Sequence, residues 1–145
     1  MNRITLCTLL IGVPTLAGCD SLYAIDRSAP VAAMPDLACV EQAIRQSPEI
    51  IAVERGRSPD NAFTYRGDSG SEIDGTIALR QDSQGRVTFS DTYFTINQEP
   101  SRSRVDATRR AMLGIEGLLA AQCGMHELPA KITESCSLVE CPPIP

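Results

Sequence analysis

Two side chains in this sequence could take part in nucleophilic chemistry, and they lie far apart along the chain. Ser69 follows Asp68 in a loop flanked by Gly67 and Gly70, and His126 is the only histidine. A nucleophilic serine needs a base that takes its proton and a group that orients the base. Glycine, aspartate and serine are turn-forming residues, so the loop itself favours a plain connection between strands. No catalytic set can be assembled from these residues, and we expect no enzymatic activity.

The tetrapeptide at 67–70 resembles two families of serine hydrolases over these four residues only. It is similar to the segment around the nucleophile of chymotrypsin-like proteases, whose histidine and aspartate precede the serine. In this chain His126 follows Ser69. It is also similar to esterases that have Gly-Asp-Ser near the start and Asp-x-x-His near the end, but Cys123 stands where the aspartate should be. A small hydrolase that uses His126 with Ser69 or a nearby acid is therefore the least favoured function.

Metal binding is not indicated by the candidate ligands. Asp68, Glu72 and Asp74 carry carboxylates that suit calcium, but they lack the alternating ligand series of a calcium loop, and Asp74 belongs to a predicted strand. The paired short spacings of cysteine and histidine that are typical of zinc sites are missing as well. We expect neither a metal nor another cofactor.

The first 19 residues have the layout of an export signal. Residues 1–3 form a short basic start, and residues 4–15 are almost entirely apolar, a run shorter than the roughly 20 residues that a membrane span needs. The next four residues, Leu16-Ala17-Gly18-Cys19, resemble the lipobox of bacterial lipoproteins. The resemblance implies that residues 1–18 are removed, that the thiol of Cys19 carries a diacylglyceryl group, and that the new amino terminus is often acylated too. Two or three acyl chains hold a protein on a membrane essentially permanently.

The residue after the lipobox cysteine bears on localisation. Asp20 resembles the inner-membrane retention signal of enteric lipoproteins. The resemblance implies a membrane-anchored protein that faces the periplasm, with the inner membrane slightly favoured over the outer membrane.

Four cysteines follow the lipobox: Cys39, Cys123, Cys136 and Cys141. An even number of cysteines in a small exported domain predicts two disulfides, because the compartment outside the cytoplasmic membrane is oxidising in many bacteria. Four cysteines allow three pairings, and the cysteine count does not choose among them.

The charge of the chain restricts its partners. From Cys19 onward it carries 12 basic and 18 acidic residues, a formal net charge of −6. Such a charge repels nucleic acid and anionic lipid headgroups, so we expect neither to be bound by the folded part.

Periodicity predicts two helices and four strands after a flexible segment. Residues 20–35 show no sustained period and contain two prolines, so we expect a tether of roughly 20 Å. The predicted elements are helix Leu37 to Gln46 with Asp36 as its N-cap, strands within Glu49–Arg55, around Phe63 and Tyr65, Ile73–Arg80 and Arg86–Ile96, and a long helix from Ser103, with Asp106 completing a capping box, to Gly124. The residues after Gly124 are expected to form an irregular, proline-rich tail.

The last predicted strand contains two apolar phases. Val87 and Phe89 lie in one phase, whereas Phe94 and Ile96 lie in the other. A β-bulge near Ser90 and Asp91 would bring both pairs to the same face, and we expect one there.

These elements predict one small α+β domain over residues 36–145. A four-stranded antiparallel sheet with both helices on one face lets each element cover its apolar side. If the helices run antiparallel, Cys39 lies beside Cys123, and we predict a disulfide between them. Cys136 and Cys141 would then close a small loop in the tail.

The polar face of the sheet and one basic cluster are the candidate partner surface. Thr76, Arg80 and Thr88 belong to the sheet face, and Arg102 and Arg109 represent the cluster on the second helix. Antiparallel sheets often leave one face to water, and a salt-bridged helix surface is common, so ordinary solvation is the competing explanation.

The functional hypothesis is a noncatalytic, lipid-anchored envelope protein that binds another envelope protein or a cell-wall component. A narrower version is an inhibitor or immunity protein that acts against a wall-degrading enzyme. No oligomeric state is predicted.

Overall fold

The computed structural model describes residues 21–56, 61–68 and 73–137. The elements in chain order are β1 (Leu22–Val31), α1 (Leu37–Gln46), β2 (Ala52–Arg55), β3 (Asn61–Arg66), β4 (Asp74–Gln81), β5 (Val87–Ile96), α2 (Arg102–Gln122) and β6 (Thr133–Cys136). The predicted signal segment, the lipobox with Cys19, and Cys141 lie outside the described residues.

The strands form one antiparallel sheet of six strands in the order β2-β3-β4-β5-β1-β6. The first strand of the chain lies inside the sheet, where it pairs with β5 along its whole length and with the short β6 on its other side. The segments between 22 and 136 therefore close into one unit around β1.

Helix α1 begins and ends where the sequence predicts. The side chain of Asp36 accepts a hydrogen bond from the amide of Ala38, which satisfies one of the free amides of the first turn. Pro48 follows the last turn, and the residue before a proline disfavours helical geometry. The buried face of α1 consists of Val40, Ala43 and Ile44.

Helix α2 is capped by Ser101, whose side chain accepts a hydrogen bond from the amide of Arg104. The predicted capping box at Ser103 is wrong by two residues, because Ser103 already lies within the first turn. A disulfide joins Cys39, near the start of α1, to Cys123, at the end of α2, with 5.8 Å between their Cα atoms. The predicted pairing is confirmed.

The hydrophobic core lies between the two helices and one face of the sheet. It includes Val40, Ala43 and Ile44 of α1, Phe63, Ile77, Leu79 and Phe89 of the strands, and Ala111, Ile115 and Leu119 of α2. Both helices therefore pack on one face of an antiparallel sheet, as predicted. The predicted number of strands is wrong.

The prediction of a four-stranded sheet was wrong, because two strands lie in segments that were expected to be irregular. Residues 22–31, assigned to a flexible tether, form β1, and residues 133–136 of the tail form β6. In β1 the inward residues alternate with outward ones, but one of the inward residues is Arg27. A charge in the apolar phase conceals the period of two. Pro30 lies beyond the residues that pair with β6, so β1 accommodates a residue without a backbone amide.

The β-bulge predicted in β5 is also absent. The register between β1 and β5 is continuous from Leu22↔Ile96 to Val31↔Val87. Val87 and Phe89 therefore face the helices, whereas Phe94 and Ile96 face outward and are 56% and 55% exposed. The two apolar phases reflect two apolar surfaces rather than one.

Neither described helix is long and apolar enough to cross a membrane.

We expect the disulfide between the helices to contribute a large share of the stability. Its two cysteines are 84 residues apart. On the chain-entropy model, a loop of that length corresponds to about 4.5 kcal/mol. The double substitution Cys39→Ala, Cys123→Ala should lower the free energy of unfolding by about that amount, measured by urea denaturation under oxidising conditions. Peptide mapping that joins Cys39 to any cysteine other than Cys123 would contradict the assignment.

Candidate functional site

The face of the sheet that points away from the two described helices is the candidate functional site. Successive residues of a strand point to opposite faces, so every second residue lies on this side. We call this surface the outer face; its residues include Asp26, Ser28, Thr64, Thr76, Ala78, Thr88, Ser90, Thr92, Thr133 and Ser135. Both described helices pack on the opposite side, and all of these outward residues are exposed or half-buried.

A row of short polar side chains crosses the middle of the outer face. Thr64 pairs with Thr76, Thr76 with Thr92, and Thr92 with Asp26. The Thr92 hydroxyl donates a hydrogen bond of 2.8 Å to the Asp26 carboxylate. Directly opposite residues in a sheet lie about 5 Å apart, so the row forms a regular hydroxyl-bearing strip.

Two shallow grooves flank this row. One is lined by Met34, Asn61, Ala78 and Arg80, among others, and the second by Thr64, Arg66, Asp74 and Phe94; Thr76 lines both. Both grooves are open to solvent along much of their length, a shape that suits an extended contact better than the enclosure of a small molecule.

The charged residues around the second groove are paired with each other. Arg66 bonds Glu54 at 3.2 Å, and Arg104 bonds Asp74 at 3.0 Å. Asp74, considered above as a cation ligand, is thus engaged by an arginine. No cluster of three or more potential metal ligands is found in the part of the chain that the structure describes.

The structure separates the predicted partner residues. Thr76, Arg80 and Thr88 do share the outer face, and Arg80 and Thr88 are exposed there. Arg102 is exposed in the first turn of α2. The prediction for Arg109 was wrong, because this residue is only 4% exposed and its side chain forms an ion pair with Glu134 of β6. Sequence alone does not distinguish an arginine that forms a salt bridge on the surface of a helix from one whose side chain is buried.

A second polar cluster, buried between α2 and the sheet, was not predicted. Arg27 of β1 makes two hydrogen bonds to Glu116 of α2, of 2.7 and 2.9 Å, and a third to Glu134 of β6. Arg109 of α2 bonds Glu134 from the other side. The four side chains alternate in charge and join three elements.

Mutual pairing sets the ionisation of this cluster. Burial by itself lowers the pKa of Arg27, but Glu116 and Glu134 reverse the effect and raise the pKa above its ordinary value. Burial raises the pKa of Glu116, and Arg27 opposes that shift. The guanidinium of Arg27 therefore stays charged. A buried cation is stable only when nearby carboxylates compensate its charge, and Glu116 and Glu134 do so here.

Asp91 is the most strongly perturbed acid of the described structure. It is fully buried on β5, and burial raises its pKa to about 8, while the hydrogen bond from Tyr65 opposes the shift. The Tyr65 hydroxyl donates this bond at 2.9 Å. Tyr65 reaches Asp91 across β4 because residue 75 is glycine; a Cβ there would lie 2.3 Å from the Tyr65 hydroxyl.

These buried groups are not accessible to a substrate. Arg27, Asp91 and Glu116 are buried, and burial raises the pKa of Tyr65 as well. A perturbed acid is a marker of a catalytic site only where a cleft reaches it. We assign the buried cluster to the architecture of the fold.

The structure describes only some of the other residues that were considered for catalysis or metal binding. Ser69 and Glu72 lie outside the described residues, and His126 is exposed in the turns after α2. Cys136 is disulfide-bonded, and its predicted partner Cys141 is outside the described ranges.

Comparisons of the chain with models of protein families, with curated proteins and with solved structures found no match.

The buried acid predicts a pH-dependent stability. Because the pKa of Asp91 rises from 3.8 in its ordinary state to about 8 in the fold, the folded protein holds a proton that the unfolded chain releases between these values. The stabilisation is complete below pH 4 and is lost as the pH rises towards 8. We expect the free energy of unfolding of the wild type, relative to that of Asp91→Asn, to fall by about 1 kcal/mol per pH unit between pH 5 and 8, as measured by urea denaturation.

The matched control is Asp82→Asn. Asp82 is an exposed acid whose pKa is lowered by Arg86, so its contribution is constant between pH 5 and 8. If the difference between wild type and Asp91→Asn is equally constant, Asp91 is ionised in the fold and the assignment is wrong.

Proposed function

We propose that this protein is a noncatalytic lipoprotein of the cell envelope, anchored through Cys19, and that its outer face binds another envelope protein. The observation that carries the binding function is the outer face itself: six strands present short, mostly uncharged side chains in register, and the two described helices lie on the other side. The export and anchoring functions derive from the lipobox resemblance at Leu16–Cys19.

The composition of the outer face supports a protein partner. Threonine and serine side chains offer both donor and acceptor capacity, and they lose little conformational entropy when they are covered. The grooves beside Thr76 supply shape. A flat to gently grooved surface suits a folded partner better than a small ligand.

The charge of the protein supports selectivity. The chain from Cys19 carries a formal charge of −6, so a partner with a basic surface is attracted and nucleic acid is repelled. A wall-degrading enzyme that must approach the anionic envelope is one such basic partner. An inhibitor or immunity protein against that enzyme is accordingly the narrower form of the proposal.

Site-specific photocrosslinking in cells tests the outer face directly. A photoreactive amino acid at Thr76, in the middle of the threonine row, should yield an adduct of discrete mass. Adding Thr88→Arg should lower the adduct yield about five-fold, because a bulky charge on the contact surface costs on the order of 1 kcal/mol.

The matched control is placed on the helix side. Gln42 is an exposed polar residue of α1, so a probe at Gln42 should give no adduct and Gln42→Arg should leave the Thr76 adduct unchanged. The proposal fails if Thr76 gives no adduct, if Gln42 gives the same one, or if Thr88→Arg has no effect. An adduct that a muramidase digests would identify a wall component as the ligand and overturn the protein partner.

A further inference from the structure

The exposed apolar side chains of the described structure are gathered at one end of the sheet. Four large ones are exposed: Leu22 at 55%, Ile51 at 69%, Phe94 at 56% and Ile96 at 55%. Leu22 begins β1 and pairs with Ile96, which ends β5, and Phe94 lies two residues before Ile96. Ile51 precedes β2, and its amide donates to the carbonyl of Arg66, the last residue of β3. We call this surface the Leu22 end.

This placement is not an effect of strand ends in general. The opposite end of the sheet carries the polar turn Asp82 to Arg86 and the start of α1 after Asp36. Its large apolar side chains, such as Val31 and Val87, are buried. The apolar exposure is therefore confined to one of two comparable surfaces.

The same end is where the chain leads back to Cys19. Leu22 is three residues after that cysteine. A residue spans at most about 3.5 Å of extended chain, so the Cα atom of Leu22 lies within about 10 Å of the Cα atom of Cys19. A lipid attached to Cys19 consequently holds the Leu22 end at the membrane surface, within reach of the lipid headgroups.

We propose that the Leu22 end rests on the lipid bilayer and inserts Leu22, Ile51, Phe94 and Ile96 into the interface between headgroups and acyl chains. This inference rests on the proposed lipid anchor and adds an orientation to it: the domain stands end-on, with its strands rising from the membrane. Leucine, isoleucine and phenylalanine are the side chains that amphipathic elements bury at this depth.

Some of the charges near the Leu22 end are paired with each other, whereas Glu49 and Glu99 are exposed beside Ile51 and Ile96 and would lie among the polar headgroups. Arg66 is paired with Glu54, and Asp74 is paired with Arg104 of α2. Arg102, in the first turn of α2, is exposed close to the same end. The acidic net charge of the chain disfavours binding through anionic headgroups, so the contact is apolar and is held by the anchor.

An end-on orientation leaves the outer face free. The threonine row runs across the strands, and β1 extends about 30 Å from Leu22 to Val31. Thr76 and Thr88 thus stand above the lipid and face the compartment beside the membrane. A partner protein can reach them without displacing the domain.

Tryptophan fluorescence gives a direct test, because the natural chain contains no tryptophan. The full-length protein is produced in its own host, extracted in detergent and reconstituted in vesicles of phosphatidylcholine brominated in the acyl chains. Single variants carry Phe94→Trp or Ile51→Trp at the Leu22 end, and Gln84→Trp in the turn at the opposite end serves as the matched control. Emission from Phe94→Trp and Ile51→Trp should shift to shorter wavelength and lose at least half its intensity, whereas Gln84→Trp should be unchanged.

Each alternative outcome overturns the orientation. Equal quenching at Phe94→Trp and Gln84→Trp would mean that the domain tumbles freely, and quenching at Phe94→Trp without Ile51→Trp would exclude the end-on arrangement. A blue shift without quenching by bromine would place a second copy or another protein on these residues. A wild-type melting curve for each variant ensures that the probe reports the folded domain.

Fatty-acid labelling of the same samples separates this inference from the anchor. Labelled protein with unquenched Phe94→Trp overturns the end-on contact and leaves anchoring intact. Protein that takes up no label, or a Cys19→Ala variant that still fractionates with membranes as before, overturns the lipid anchor itself.

Discussion

The buried guanidinium of Arg27 is the group on which the architecture depends. It lies on β1, and its counter-charges come from α2 and β6, so three elements that are distant in sequence meet at one cation. A buried ion pair that loses one partner leaves an uncompensated charge, at a cost of several kcal/mol. The need to compensate the charge of Arg27 therefore links three features of the fold: the position of β1 inside the sheet, the packing of α2 on the sheet and the addition of β6.

The elements that follow a single periodic rule could be predicted from the sequence. Helix α1 has a capping aspartate, an apolar face and a proline after its end, and β4 alternates cleanly. The assumption that the two helices run antiparallel then led to the prediction that Cys39 pairs with Cys123, and that pairing is present. Strand β1 could not be found in this way, because Arg27 occupies an inward position and its carboxylate partners Glu116 and Glu134 lie 89 and 107 residues away. Only tertiary contacts compensate that charge.

The candidate surface was predicted in part, and the errors share one cause. Thr76, Arg80 and Thr88 lie together because they alternate with an apolar phase that is truly buried. Arg109 turns inward to Glu134, whereas Phe94 and Ile96 turn outward. A prediction from side-chain polarity alone therefore assigns all three residues to the wrong side. Assigning apolar residues to the inside and charged residues to the outside fails where a cluster of charges is buried or where an apolar surface is left for another phase or another molecule.

The interior position of β1 determines how the domain withstands tension. In the proposed anchored state, any drag on a bound partner is carried to the membrane through Cys19 and hence along the axis of β1. A strand pulled along its axis shears all its ladder bonds at once, whereas a strand peeled from an edge breaks them one after another. With ten registered pairs to β5 and four more to β6, β1 takes the load in shear, and the anchor is tied to the part of the sheet least prone to unzip.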